Sequence, residues 1–293
     1  HNYQQTPQYR LLNSGFSLND FKAIFFWEWI HRLWGRLIGF AFLIPFVVFL
    51  IQGRFKRKMV RPMVILFLLG ALQGAVGWIM VASGLTGDAI YVEPVKLAMH
   101  FVLASVLISY TFWFALQLLI RKEALVNAKG LKKNTLIIIA ILFIQLIFGA
   151  LMAGNKAAPA APTWPDINGS FIPGYVFTPA DGWKSIVENA IVIQFIHRSL
   201  AYIITAGILW WTFLAFKLKT ARTFKTARSF PGFLVLVQVG LGIFAVLTST
   251  KIKPNDWNIF QWMAVLHQLV AICLLLSLIN CFYLLQGQQK PNS

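Results

Sequence analysis

The 293-residue chain is 58% hydrophobic and 15% aromatic, with only 12% charged residues, against about 25% charged in a typical globular domain. So little charge excludes an ordinary water-soluble enzyme and a disordered tail, because lipid is the solvent that does not demand it. The formal net charge of +17 is no sign of nucleic-acid binding either, once its distribution along the chain is considered.

Seven stretches are long and apolar enough to cross a bilayer, near 24–52, 62–82, 96–119, 134–153, 191–215, 230–249 and 261–284. Lys and Arg crowd three connections: Arg54, Lys56, Arg57, Lys58 and Arg61; Arg121, Lys122, Lys129, Lys132 and Lys133; Lys217, Lys219, Arg222, Lys225 and Arg228. Lys290 in the tail joins them, and of the nine acids only Glu123 lies in a basic loop. Basic connections stay in the cytoplasm or matrix, which puts the C-terminus inside and residue 1 outside. Trp27, Trp29, Trp34, Trp183, Trp257 and Trp262 fall near outer ends, where an aromatic belt belongs.

Cys273 and Cys281 share one apolar run and stand about 12 Å apart on a helix, too far for a disulfide. Seven spans, an outside N-terminus, a start at His1 and no signal-peptide pattern together predict one further helix upstream, eight in all. The expected fold class is an all-α integral membrane protein. Residues 154–190, with Pro159, Pro162, Pro165, Pro173 and Pro179, form the long outer connection, either a lid or binding element or a plain extracellular cap.

Leaving His1 aside, His31, His100, His197 and His267 are spaced by 69, 97 and 70 residues, one near the outer end of each inward-running helix. The outward helices carry Gln73-x-x-x-Gly77, Gln145-x-x-x-Gly149 and Gln238-x-x-x-Gly242, which follow the histidines by 42, 45 and 41 residues. This is an internal duplication. It predicts two half-bundles, 1–133 and 134–293, of four helices each once the first is restored, related by an axis along the membrane normal.

A single histidine in an apolar helix is most often a packed, hydrogen-bonded residue. Four at matching depth are costly inside a bilayer and point to function. Two imidazoles from parallel helices suit the axial positions of a six-coordinate heme. Zinc is the weaker alternative, since no further Cys, Asp or Glu stands at suitable spacing; a proton relay would not need the pairing. Gly77, Gly149 and Gly242 either clear room for a porphyrin face or serve ordinary helix packing. Arg32 and Arg198 each follow a histidine directly, as clamps for anionic propionates or as snorkelling interfacial residues. Arg36 lies one turn deeper on the face of Arg32.

The halves differ at one informative place. The first reads Glu28-Trp29-Ile30-His31-Arg32, the second Gln194-Phe195-Ile196-His197-Arg198. Residues three apart share a helix face, so one histidine has a carboxylate beside it and the other its neutral isostere. A carboxylate next to a bound macrocycle can act as base, nucleophile or charge stabiliser, whereas an amide only hydrogen-bonds. The pattern suggests one reactive pocket and one electron-transfer pocket; the plain alternative is that Glu28 is a wet interfacial carboxylate.

The chain resembles the heme A synthase family over essentially its whole length, and the mitochondrial and common bacterial form more than the Gram-positive one. The residues that carry the likeness are Glu28-x-x-His31-Arg32-x-Trp34-Gly35-Arg36, the run from Gln73 through Gly74, Gly77, Trp78, Met80, Val81, Ser83 and Gly84 to Leu85, His100, Gln194-Phe195-x-His197-Arg198 and His267. The resemblance implies a substrate heme O between His31 and His100, a permanent heme b between His197 and His267, and a catalytic Glu28. It implies oxidation of a porphyrin methyl to formyl by two successive water-derived hydroxylations. It also implies a heme O synthase upstream, an electron acceptor, and cytochrome oxidase assembly downstream, with the bacterial cytoplasmic membrane preferred over the mitochondrial inner membrane. Some members carry an outer-loop cysteine pair; this sequence has none, so no thiol step transfers. The alternative from another class is a bis-histidine diheme cytochrome b that carries electrons without chemistry of its own; a heme-delivery protein is third.

Overall fold

The computed structural model describes residues 2–84, 87–176, 182–251 and 257–287. Leu85 of the first-half motif, Pro179 of the outer connection and Lys290 of the tail lie outside the described residues. Among the described residues there is no β-strand, and seven helices are long and apolar enough to cross a membrane. They are α1 (Leu18–Ile51), α2 (Arg57–Ser83), α3 (Pro94–Leu119), α4 (Lys129–Gly154), α5 (Ala190–Lys217), α6 (Ser229–Thr248) and α7 (Ile259–Leu284). Even α6, at 20 residues, is about 30 Å long, the thickness of a hydrocarbon core. The protein is an all-α integral membrane protein.

Several helices begin ahead of their apolar runs because polar residues start them. Ser17 accepts from the backbone N–H of Asp20 while the Asp20 carboxylate accepts from the Ser17 N–H at 2.9 Å, a reciprocal cap that starts α1 before the expected residue 24. Asn258 and Gln261 cap α7 in the same way. Helix α2 starts at Arg57 rather than Pro62, since a proline in the second turn forfeits a single backbone bond.

The chain divides into two compact units, His1–Leu107 and Ile108–Ser293, with the division inside α3. In the first unit α1 packs on α2, and Phe46, buried between Phe42 and Phe55, lies where the two helices join. In the second unit α4 contacts α5, α5 contacts α6, α6 contacts α7 and α7 returns to α4, a closed ring of four helices. Its interior is filled at helical spacing by Leu142 and Leu146 of α4, Ile204, Ile208 and Trp211 of α5, Val235 of α6, and Leu274 and Leu278 of α7. The buried Trp211 indole donates to Thr135 Oγ1 at 2.8 Å, and Thr135 donates to the Leu131 carbonyl, so the indole N–H is satisfied. Ile203, Trp210, Phe213, Phe233 and Leu236 stay on the outside, the surface lipid would cover. Cys273 and Cys281 are unpaired thiols, as their spacing requires.

At the C-terminal end of α5 Arg228 donates to the Ala215 and Leu218 carbonyls at 2.8 and 3.1 Å. A fixed cation there satisfies the free carbonyls at the C-terminus of α5 and complements its dipole.

Candidate functional site

Each unit brings two histidines together, each carried in the N-terminal half of its helix. The rings of His31 and His100 have centroids 6.5 Å apart at 72°, and those of His197 and His267 are 6.3 Å apart at 64°. Two imidazoles joined by a direct hydrogen bond would have centroids roughly 5 Å apart. Two imidazoles each bonded at about 2 Å to one metal ion would place them near ~6.3 Å. Both pairs have the second spacing.

Every Gln-x-x-x-Gly of the outward helices meets the histidine of the next inward helix. The Gln73 amide lies 3.2 Å from each ring nitrogen of His100 and donates to the His100 carbonyl at 3.2 Å. Gln145 donates to the His197 carbonyl at 3.0 Å and reaches its Nε2 at 3.4 Å. Gln238 lies 3.2 Å from His267 Nε2, and its main-chain carbonyl 3.0 Å from His267 Nδ1. Gly77, Gly149 and Gly242 each face the Cε1 edge of the same histidine. The atoms they make room for in this structure are imidazole atoms. The glutamine repeat is visible in the sequence, but its partners are 27, 52 and 29 residues away, and only helix packing reveals them.

Polar atoms in these sites are left without protein partners. Gln73 Oε1, Gln145 Oε1, Gln238 Oε1 and His197 Nδ1 are buried with no hydrogen bond, each a cost of about 1–3 kcal/mol if nothing else meets it. No group of three or more His, Cys, Asp or Glu that could hold a metal ion occurs among the described residues. Two imidazoles at two-ligand spacing, lined by unpaired polar atoms, fit a planar cofactor whose iron needs two axial nitrogens. They do not fit a zinc centre.

The positions flanking the histidines differ sharply between the units. Glu28 and Arg32 form an ion pair at 3.2 Å, with side chains 53% and 42% exposed; Arg36 is also exposed. Gln194, by contrast, is fully buried and donates to the Ala157 and Ala158 carbonyls at 2.7 and 3.3 Å. Arg198 donates to the carbonyls of Ala161, Thr163 and Asp166 at 2.8, 2.9 and 2.7 Å, and to Gln194 Oε1. Its guanidinium is thus committed to the outer connection, a partner that sequence spacing does not disclose.

Residues 157–170 of that connection are held by their own polar groups. Asn168 donates to the Ala160 carbonyl, and Thr163 Oγ1 accepts from the Asn168 N–H at 2.8 Å. The Gly169 N–H, then the Thr163 hydroxyl, hold the Asp166 carboxyl below its ordinary value of 3.8. A lowered folded value means that Asp166 stabilises this turn above that pH and loses the effect as acid protonates it. Because Arg198 gathers three carbonyls and charged hydrogen bonds contribute about 1.5–3 kcal/mol each, Arg198→Leu is expected to free the segment. Limited proteolysis between residues 157 and 170 should then run roughly tenfold faster or more; an unchanged rate would show the segment is held by other means.

Residues 1–279 match the family described as cytochrome oxidase assembly protein. A protein of Parvibaculum lavamentivorans named heme A synthase is 40% identical over 245 residues, covering 84% of this chain and 70% of its own length. A heme A synthase of a Bradyrhizobium species is 40% identical over 275 residues, 93% of this chain and 73% of that one. One of Rhodospirillum centenum is 36% identical over 290 residues, 99% of this chain and 75% of that one.

Proposed function

This chain belongs to the cytochrome oxidase assembly protein family, and from that premise we propose that it converts heme O to heme A in the membrane. The observation that carries the reading is the pairing of histidines at one-iron spacing in both units, with unlike flanking residues. His31 and His100, beside the Glu28–Arg32 ion pair, receive the substrate. His197 and His267 hold a resident heme b, which supplies one-electron transfer when bound. A neighbour fastened by Gln194 and Arg198 suits a group that stays; the half-exposed Glu28 and Arg32 suit a substrate that must enter and leave.

The reaction turns one porphyrin methyl into a formyl group in two hydroxylations. Each removes two electrons and two protons and adds the oxygen of one water. The second product is a gem-diol, which loses water to leave the aldehyde. The four electrons leave to a membrane electron acceptor. Positive charge develops on the methyl carbon as electrons depart, and the fixed carboxylate of Glu28 stabilises it. Arg32, one turn on and 3.2 Å away, orients that carboxylate. Gln194 in the second unit offers no such charge. A heme O synthase supplies the substrate, and cytochrome oxidase assembly consumes the product. The loop charges put the C-terminus inside, and the bacterial relatives favour the bacterial cytoplasmic membrane over the mitochondrial inner membrane.

The alternative, a diheme electron carrier, uses both histidine pairs but has no role for the Glu28/Gln194 difference. Pigment extraction separates the two. Membranes carrying this chain together with a heme O synthase should yield heme A, whereas heme O left wholly unconverted beside bound heme b would favour the carrier.

A further inference from the structure

The starting point is the heme reading of the His197–His267 pair, and the inference concerns how the two ligands are held. The two histidines occupy similar seats with unequal fit. A Cβ added to Gly242 would stand 2.9 Å from His267 Cε1 and 3.3 Å from its Nδ1, the first too close for a real Cβ contact, so the His267 ring would have to shift. A Cβ added to Gly149 would stand 3.4 Å from His197 Cε1, an ordinary contact. The polar contacts are unequal in the same sense. Gln238 addresses both nitrogens of His267, with its main-chain carbonyl 3.0 Å from Nδ1 and its amide 3.2 Å from Nε2. Gln145 holds His197 chiefly by the backbone carbonyl, at 3.0 Å, and reaches Nε2 at only 3.4 Å. The Nδ1 of His197 is buried without a hydrogen bond.

We propose that Gln238 and Gly242 are the positioning residues of the resident heme site, fixing the ring plane and tautomer of His267, while the seat at Gln145 and Gly149 leaves His197 the adjustable ligand. A ring N–H donated to a carbonyl fixes which nitrogen keeps its lone pair and raises the basicity of that nitrogen toward a metal. His267 would have that arrangement with Nδ1 donating to the Gln238 carbonyl at 3.0 Å, which leaves Nε2, approached by the Gln238 amide at 3.2 Å in this structure, as the nitrogen that would turn to the metal. His267 is therefore the strong, oriented ligand, and ligand orientation and hydrogen bonding are levers on the iron's potential and spectrum.

The test compares Gly242→Ala with Gly149→Ala in the full chain, purified with its heme. Alanine favours a helix over glycine by about 1 kcal/mol, so a loss at either position is not a backbone effect. Gly242→Ala should move the low-spin ferric electron paramagnetic resonance signal and the midpoint potential, and lower bound heme b roughly fivefold or more. Gly149→Ala should keep the parent's signal, potential and heme content. Should Gly242→Ala not accumulate, Gln238→Leu leaves the seat open and removes only the amide; it should shift the same signal. A parent-like signal in Gly242→Ala or Gln238→Leu, or equal responses of the two alanine variants, overturns the proposal while leaving the heme reading intact. Parent protein without a six-coordinate low-spin signal overturns the heme reading, and this proposal with it.

Discussion

Glu28→Gln is expected to cut heme A formation roughly a hundredfold or more while leaving resident heme b in place. The substitution keeps size and hydrogen-bonding capacity and removes only the charge, turning the first unit's motif into a copy of Gln194 beside His197. If the carboxylate stabilises positive charge on the reacting methyl carbon, losing a preorganised charge costs about 3–4 kcal/mol of transition-state stabilisation. Folding has little at stake. The Glu28–Arg32 pair is a half-exposed contact one turn apart on α1, and such pairs contribute about 0–1 kcal/mol. The variant should therefore show the parent heme b spectrum and accumulate heme O or the singly hydroxylated alcohol. Heme A made at the parent rate would reduce Glu28 to an interfacial carboxylate and restore the electron-carrier reading.

Removing either ligand of the second pair should have the largest effect on composition. Purified protein is expected to contain low-spin, six-coordinate heme b, because two imidazoles fill both axial positions. His197→Ala or His267→Ala should abolish most of it, since each ring is half of a two-ligand site whose centroids stand 6.3 Å apart and, among the described residues, no third ligand-type side chain joins it. His31→Ala should leave that heme in place and stop conversion of heme O. Loss of resident heme from His31→Ala, with His197→Ala silent, would reverse the assignment of the two sites. The visible spectrum and heme-to-protein ratio of the three variants decide it.

The membrane class, the seven spans and the register of the histidines were legible from the sequence, because each rests on a one-dimensional signal. A bilayer demands about 20 apolar residues per helix, Lys and Arg mark the inner loops, and a duplicated histidine spacing needs no folding to be counted. The contrast between Glu28 and Gln194 was equally plain, since helix geometry alone puts each beside its histidine. Helix starts were less legible: Ser17 and Asp20 begin α1 by exchanging hydrogen bonds, a local gain that hydropathy does not register.

What the tertiary structure decided is which side chains answer one another across helices. The glutamine and glycine of each outward helix were visible as a repeat, but the atoms they face belong to His100, His197 and His267 on other helices. Arg198 could equally have snorkelled or gripped an anion. Its commitment to the carbonyls of Ala161, Thr163 and Asp166 depends on where a proline-rich connection folds back, which no periodicity encodes. The physical reason is one of range. Composition and spacing report the solvent and the face of a single helix, whereas hydrogen bonds to buried polar atoms are satisfied by whatever the packing of separate helices brings within about 3 Å.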